Sequence, residues 1–148
     1  SQPALRLRAI EMLAKEKIPV GVMVGPVLPG LTEHEIPAIL KAVAAAGAMT
    51  AHYTMLRLPY GVKDLFQTWL KEHFPDRAEK VLNRLRDMRG GKLYESDFET
   101  RMTGTGHYAR QVADMFRLYK QQYGLTQNVP LTAKGFNRQA RGRQLSLF

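Results

Sequence analysis

The 148 residues carry 22 Lys+Arg against 13 Asp+Glu, a net charge of +9, and no cysteine. That excludes disulfides, thiolate zinc sites, cysteine nucleophiles and iron–sulfur clusters held by cysteines of this stretch. At 45% hydrophobic and 24% charged residues the chain has the makeup of one globular domain, or of part of a larger one, and not of a disordered tail.

In chain order, Leu7, Ile10, Leu13 and Ala14 make one helical face that ends near Lys17. Ile18-Pro-Val-Gly-Val-Met-Val-Gly follows, apolar at both parities, which predicts a strand covered on both faces as in a parallel sheet. A loop, Pro26-Val-Leu-Pro-Gly-Leu31, leads to Thr32 and Glu35, spaced as a capping box for a new helix. Pro37 delays the regular part of that helix, which runs through the alanine-rich residues 38–46 to a stop at Gly47. Ala48-Met-Thr-Ala-His-Tyr-Thr-Met-Leu-Arg-Leu58 is the second strand, completing a right-handed βαβ unit. Val62, Leu65, Phe66, Trp69 and Leu70 then mark one helix, and Ala78, Val81, Leu82, Leu85 and Met88 a second, closed by Gly90-Gly91. A polar connection with Tyr94 and Phe98 reaches Thr103-Gly-Thr-Gly106, and Tyr108, Val112, Met115, Phe116, Tyr119 and Tyr123 form a last helix that stops at Gly124. Beyond it the sequence is rich in Pro, Asn, Gln and Arg.

The longest apolar run, residues 18–31, is interrupted by proline and glycine and is too short to span a bilayer. No charged segment followed by an apolar core opens the chain. Neither a membrane partner nor a signal peptide is expected. The first residue is Ser1 and not Met, and the expectation is a piece of a longer protein. Two strands are too few for a buried parallel sheet, whose edges need paired neighbours. The reading is therefore the carboxyl-terminal part of an open α/β barrel or sheet: a βα portion at 1–60, a helical extension at 61–124, and a basic flexible tail at 125–148. A small α/β domain with a third strand near Lys92-Leu-Tyr94 is the alternative.

The charge is uneven. Residues 1–83 hold 10 basic and 8 acidic side chains, and residues 84–148 hold 12 and 5. After Asp114, the last acid, come Arg117, Lys120, Lys134, Arg138, Arg141 and Arg143. One-sided charge of this kind attracts polyanions, nucleic acid foremost.

Arg6-Leu-Arg-Ala-Ile10, the stretch from Ile18 to the Glu-Ile-Pro-Ala-Ile-Leu40 helix, Leu56-Arg-Leu-Pro59, Leu65-Phe-Gln-Thr-Trp-Leu70, Phe74-Pro-Asp-Arg77, Arg89-Gly-Gly-Lys-Leu-Tyr94 and Arg101-Met-Thr-Gly-Thr-Gly106 together resemble the DNA-repair-photolyase group of radical SAM proteins, relatives of spore photoproduct lyase. The resemblance covers most of residues 5–124. It implies the carboxyl-terminal part of an open (β/α) barrel, with these strands as its fifth and sixth, in a bacterial, cytoplasmic protein. It also implies S-adenosylmethionine and a 4Fe–4S cluster as cofactors of the intact enzyme, and hydrogen abstraction from nucleic acid by a 5′-deoxyadenosyl radical. The family's three cysteines, at Cys-x3-Cys-x2-Cys spacing, are missing here. The chain alone is expected to be inactive, its partner being the missing amino-terminal part of the barrel.

Within the resemblance, Gly25-Pro-Val-Leu-Pro-Gly30 followed by Glu33 looks like a variant of the family's adenine-packing Gly-x-Ile-x-Gly-x-x-Glu segment, with one extra residue between the glycines. Gly25 and Gly30 would shape the turn and Val27 would wall the base, although a plain strand-to-helix turn uses the same residues. Arg57 and Leu58 fall at the carboxyl end of the second strand, the usual ligand side of a barrel. There a guanidinium forks onto a carboxylate or a phosphate, or makes an internal salt bridge. Tyr53 reads as a radical relay, a base-stacking residue or a hydrogen-bonded core residue. The histidines at 34, 52, 73 and 107 have no metal-ligand spacing, and no catalytic residue is assigned. Arg101, beside the weak phosphate-loop pattern Gly104-x-Gly106, joins Lys134, Arg138, Arg141 and Arg143 as a nucleic-acid candidate.

The last five residues, Gln144-Leu-Ser-Leu-Phe148, look like the peptide by which bacterial polymerases and repair proteins dock on the sliding clamp. In that form Leu147 and Phe148 fill an apolar pocket, the Gln144 amide bonds at the rim of the groove, and Leu145 completes the clamp-binding set. Packing of the terminus on its own core is the other reading. Two further functional readings stand beside the enzyme: a non-enzymatic basic adaptor that holds DNA and clamp, and the same barrel with a substrate that is not nucleic acid.

Overall fold

A computed structural model describes residues 2–128 and 130. Among them are five α-helices and a two-stranded parallel sheet, a mixed α/β arrangement that is mainly helical. α1 is Pro3–Lys15, β1 Gly21–Val27, α2 Ile36–Ala45, β2 Thr50–Met55, α3 Val62–His73, α4 Pro75–Asp87 and α5 Gly106–Gln122. No described helix is long and apolar enough to cross a membrane.

The strands pair in parallel from Gly21 against Thr50 to Val27 against Met55, with α2 as the crossover. The register slips between Val24 and Val27, so Gly25-Pro26 is an extra step on β1. Pro26 has no N–H to give a ladder, and such bulges are where it is tolerated. β1 starts three residues later than the apolar run, because Lys17 turns through a left-handed φ of 58° and Pro19 has no N–H.

Only one sheet face is covered. Val24, Val27, Ala51 and Met55 are buried with Ile36, Leu40 and Val43 of α2 and Val112 and Phe116 of α5. On the opposite face Met23 is 64% exposed, and His52 beside it is exposed. The expectation of a strand covered on both faces is thus not met within the described residues.

α5 packs on α2 and β2, so the helical segment after residue 61 does not stand apart from the βα portion. A second core joins α3 and α4 through Leu70, Val81, Leu82 and Leu85, with Leu31 and Leu58 from the loops. No strand forms near Lys92. The capping box is not made either: Thr32 Oγ1 accepts the Leu28 N–H at 2.9 Å, and a 3₁₀ turn at Glu33–Glu35 precedes α2. The glycine helix stops read from the sequence all have positive φ: Gly47 (97°), Gly90 (61°), Gly91 (86°) and Gly124 (69°). At Gly47 an added Cβ would also lie 2.6 Å from the Ala14 Cβ, the point where α1 meets the end of α2.

α1 buries no residue completely. Leu7 and Ile10 lean on the core while Leu5 and Met12 are more than half exposed. Between α1, α2 and the outer edge of β1 runs an apolar groove of about 750 Å³, lined by Leu7, Ile10, Val22, Val24, Ile39 and Val43 among others. No described strand pairs with that edge.

Candidate functional site

Because β1 and β2 run in parallel, both deliver their following loops to the same end of the sheet, the end where ligands of open α/β folds gather. The uncovered face of the sheet adjoins that end. Met23, Gly25, His52 and Thr54 lie on it, and Gly25 is required there because a Cβ would come within 2.5 Å of the Thr54 methyl.

Past the end of β2 three arginines meet one loop. Arg89, just beyond α4, is 3% exposed. Its Nη1 donates to the Thr100 carbonyl at 3.0 Å and its Nη2 to the Leu56 carbonyl at 3.2 Å. Arg57 points its Nη1 at the Met102 sulfur, 3.8 Å away, and Arg101 lays its guanidinium over the Phe98 ring at 4.2 Å. The Nε atoms of Arg57 and Arg101 are buried without a hydrogen-bond partner. Burial, and then the neighbouring Arg57 charge, lowers the Arg89 pKa from its ordinary value. The described ion pairs are Arg84–Glu33 and Arg117–Asp114, so no carboxylate lies within pairing distance of these three cations. The loop is tied to the sheet at Met55, whose N–H donates to the Met102 carbonyl at 2.8 Å.

The loop after β1 is organised differently. Glu33 Oε1 accepts from Arg84 Nη1 at 2.9 Å and from the Tyr108 hydroxyl at 2.6 Å. The Tyr108 oxygen accepts in turn from Arg84 (3.1 Å) and from the Gly30 N–H (3.3 Å). Arg84 also covers the Tyr108 ring, 4.5 Å from its centroid. Gly30 has φ 84° and an added Cβ would meet Arg84 Nη1 at 3.1 Å, so both its conformation and its surroundings call for glycine. This network clamps the loop to α4 and α5. Burial, followed by the Glu33 carboxylate, pushes the Tyr108 pKa up to about 12.

The sign of that shift sets a pH window. A tyrosine held neutral contributes stability that is full below its ordinary value of 10.0 and is lost as pH climbs through about 12. Tyr108→Phe is expected to cost about 1–2 kcal/mol at neutral pH. It should also flatten the alkaline loss. Urea titrations at about pH 7 and about pH 11 measure both, and a wild-type alkaline decline that persists unchanged in the variant contradicts the assignment.

The residues singled out from the sequence therefore divide. Gly25 and Arg57 border the open face and its end. Val27 (2% exposed) and Leu58 (1%) are core side chains, and Val27, with Gly25, also lines the groove beside β1. Gly30 gives its N–H to Tyr108. Arg57 leaves the strand pattern because β2 ends at Met55. Tyr53 faces the helices, its ring 4.8 Å from that of Phe116, and burial, then Asp114, raises its pKa. Arg101 joins Arg57 at the loop. Lys134, Arg138, Arg141, Arg143, Gln144, Leu145, Leu147 and Phe148 lie outside the described residues.

Arg89, Arg84 and Tyr108 were not singled out. Their partners are 33, 51 and 75 residues away in sequence, and no local spacing signals them. The described residues hold no group of three or more His, Asp or Glu that could take a metal ion.

No family model, curated protein or solved structure matches this chain. The fit of a cofactor thus rests on the residues alone. With no cysteine in the sequence, they do not fit a 4Fe–4S cluster. Gly25 and Val27 line the groove beside β1 while Gly30, Arg57 and Leu58 do not, so these residues do not converge on one adenosine pocket.

Proposed function

We propose that this chain is the carboxyl-terminal, nucleic-acid-facing portion of a larger open (β/α) barrel of the radical SAM, DNA-repair-photolyase-like kind. In that protein the cluster and most cofactor contacts come from residues not present here. The observation that carries the nucleic-acid part is the pair Arg57 and Arg101, both partly exposed at the carboxyl end of the sheet and, among the described residues, with no carboxylate within pairing distance. Partly exposed arginines of this kind suit an anionic partner, such as a phosphodiester, met by their Nη groups. The larger barrel is supported by the unpaired edge of β1, the apolar groove beside it, and Met23 on an open sheet face. Burying these surfaces needs further strands and helices. The tail Gln144-Leu-Ser-Leu-Phe148 supplies a sliding-clamp contact, in a bacterial cytoplasm.

The 148-residue chain is expected to bind DNA with an affinity that falls steeply with salt. Arg57→Ala combined with Arg101→Ala should lower the slope of log K against log salt by roughly 1–2. Fluorescence anisotropy across a salt series measures this, and binding indifferent to salt removes the reading. The lack of thiolates favours, as a second reading, a basic adaptor without catalysis. Formation of 5′-deoxyadenosine by the reconstituted longer protein separates the two, and its absence leaves the adaptor.

A further inference from the structure

Phe98 is 78% exposed, and a single exposed phenylalanine needs no explanation. Its mounting does. Residues 97–104 form a loop pinned from several directions. The Asp97 carboxylate accepts the N–H groups of Glu99 (2.9 Å) and Thr100 (3.2 Å) and the Thr100 hydroxyl. The Asp97 carbonyl accepts the Arg101 N–H at 2.9 Å, and the Thr100 carbonyl accepts the Gly104 N–H at 2.7 Å. Arg89 holds Thr100 from the core side, and Met102 pairs with Met55 of β2. Gly104 closes the loop at φ 78°, where an added Cβ would meet the Met88 side chain at 2.9 Å. On this rigid frame the Phe98 ring stands out with one face under the Arg101 guanidinium, and with the half-exposed Met102 next in sequence to that arginine.

Charge decides what this surface takes. Glu95, Asp97 and Glu99 flank Phe98 in the same segment. Glu95 caps the N–H groups of Ser96 and Asp97, which holds its pKa below the ordinary value. Asp97 is turned into the loop. Two carboxylates are thereby engaged, yet their negative charge remains, so a phosphate gains little at Phe98 itself. An uncharged flat surface suits it. Arg57, reaching Met102 from the other side, is the cation placed for the adjoining backbone. In a duplex both faces of each base are covered by its neighbours. Only an unpaired or extruded base has a face free to lie on an aromatic side chain.

We infer that Phe98, backed by Arg101, is a stacking platform for an unpaired nucleobase, so that the nucleic acid bound at this end of the sheet is single-stranded or presents an extruded nucleotide. The inference rests on the nucleic-acid reading above and narrows its substrate class. Because a ring stacks without releasing counterions, loss of Phe98 should lower affinity and leave the salt slope unchanged, whereas loss of Arg57 should change the slope.

The test compares three labelled probes with the 148-residue protein: an oligothymidine strand of about 12 nucleotides, a perfect duplex, and the duplex with one unpaired thymine. Phe98→Ala is expected to weaken the single strand and the bulged duplex by about tenfold and the perfect duplex by less than about twofold. Phe98→Trp should retain wild-type binding, and unchanged melting temperatures show that the exposed position is not structural. Equal losses on all three probes, a changed salt slope, or no loss at all overturns the platform while leaving the nucleic-acid reading in place. If the wild-type chain binds none of the probes at low salt, both fall.

Discussion

Arg89→Met is expected to lower the unfolding free energy by about 1–3 kcal/mol, the largest stability effect expected among the residues of the site. Two terms oppose each other. The substitution relieves the protein of a buried cation, and replacing buried charge by apolar bulk can be neutral or even stabilising. Against that, it removes one donor from the Thr100 carbonyl and orphans the carbonyl of Leu56, at about 1–3 kcal/mol for a buried unpaired group. The Leu56 carbonyl decides the sign, since methionine offers no donor and that acceptor has no other described backbone partner, whereas Thr100 keeps the Gly104 N–H. The effect should appear as a fall of roughly 5–10 °C in melting temperature, with faster proteolysis within residues 97–104. Arg89→Lys should recover part of it, because an ammonium satisfies one acceptor but does not fork to two. A methionine variant that melts with the wild type shows that the loop is held by its own turns and by Met55 alone.

The second large effect concerns the terminal peptide. Leu147→Ala combined with Phe148→Ala is expected to reduce affinity for a purified bacterial sliding clamp by at least about 100-fold, because a few buried anchors carry most of the energy of such contacts. Gln144→Ala should cost less, about tenfold, for one rim hydrogen bond. Titration of the full chain and of the isolated tail peptide should give matching affinities if the peptide acts alone. Absence of binding, or equal binding by the double variant, removes the clamp from the proposal.

What the sequence made legible follows from the range of the interactions involved. Helices announced themselves through apolar spacing and glycine stops, as at Gly47 and Gly124, because a stripe and a left-handed turn are properties of consecutive residues. The parallel pairing of β1 and β2 followed from a crossover helix between two apolar runs. The capping box at Thr32 failed because a competing acceptor role, the bond from Leu28 N–H, draws the same hydroxyl to the loop before it. Val27 and Leu58 read as ligand contacts by position in a motif, but burial is decided by what packs from elsewhere: α2 for the first, α3 and α4 for the second. The clamp of Glu33, Arg84 and Tyr108 and the anchoring of Thr100 by Arg89 are tertiary facts, with no trace in local order. Phe98 passed as part of a polar connection, since neither its exposure nor the guanidinium on its ring is visible without the loop's geometry.

One small pairing has a spatial consequence. After α5 the backbone returns to β2, where Thr126 bridges Thr50 antiparallel and the Gln127 N–H donates to the Met49 carbonyl at 3.1 Å. The chain is thereby fastened at the amino end of the strand whose carboxyl end carries Arg57 and the Phe98 loop. Six strand residues at about 3.3 Å each put roughly 20 Å of sheet between the two. A load pulling on the chain at residue 128 is borne by this bridge and by β2, not by the loop that would hold a base. Tether and tool occupy opposite poles of the sheet, so tension on one reaches the other only along the length of β2.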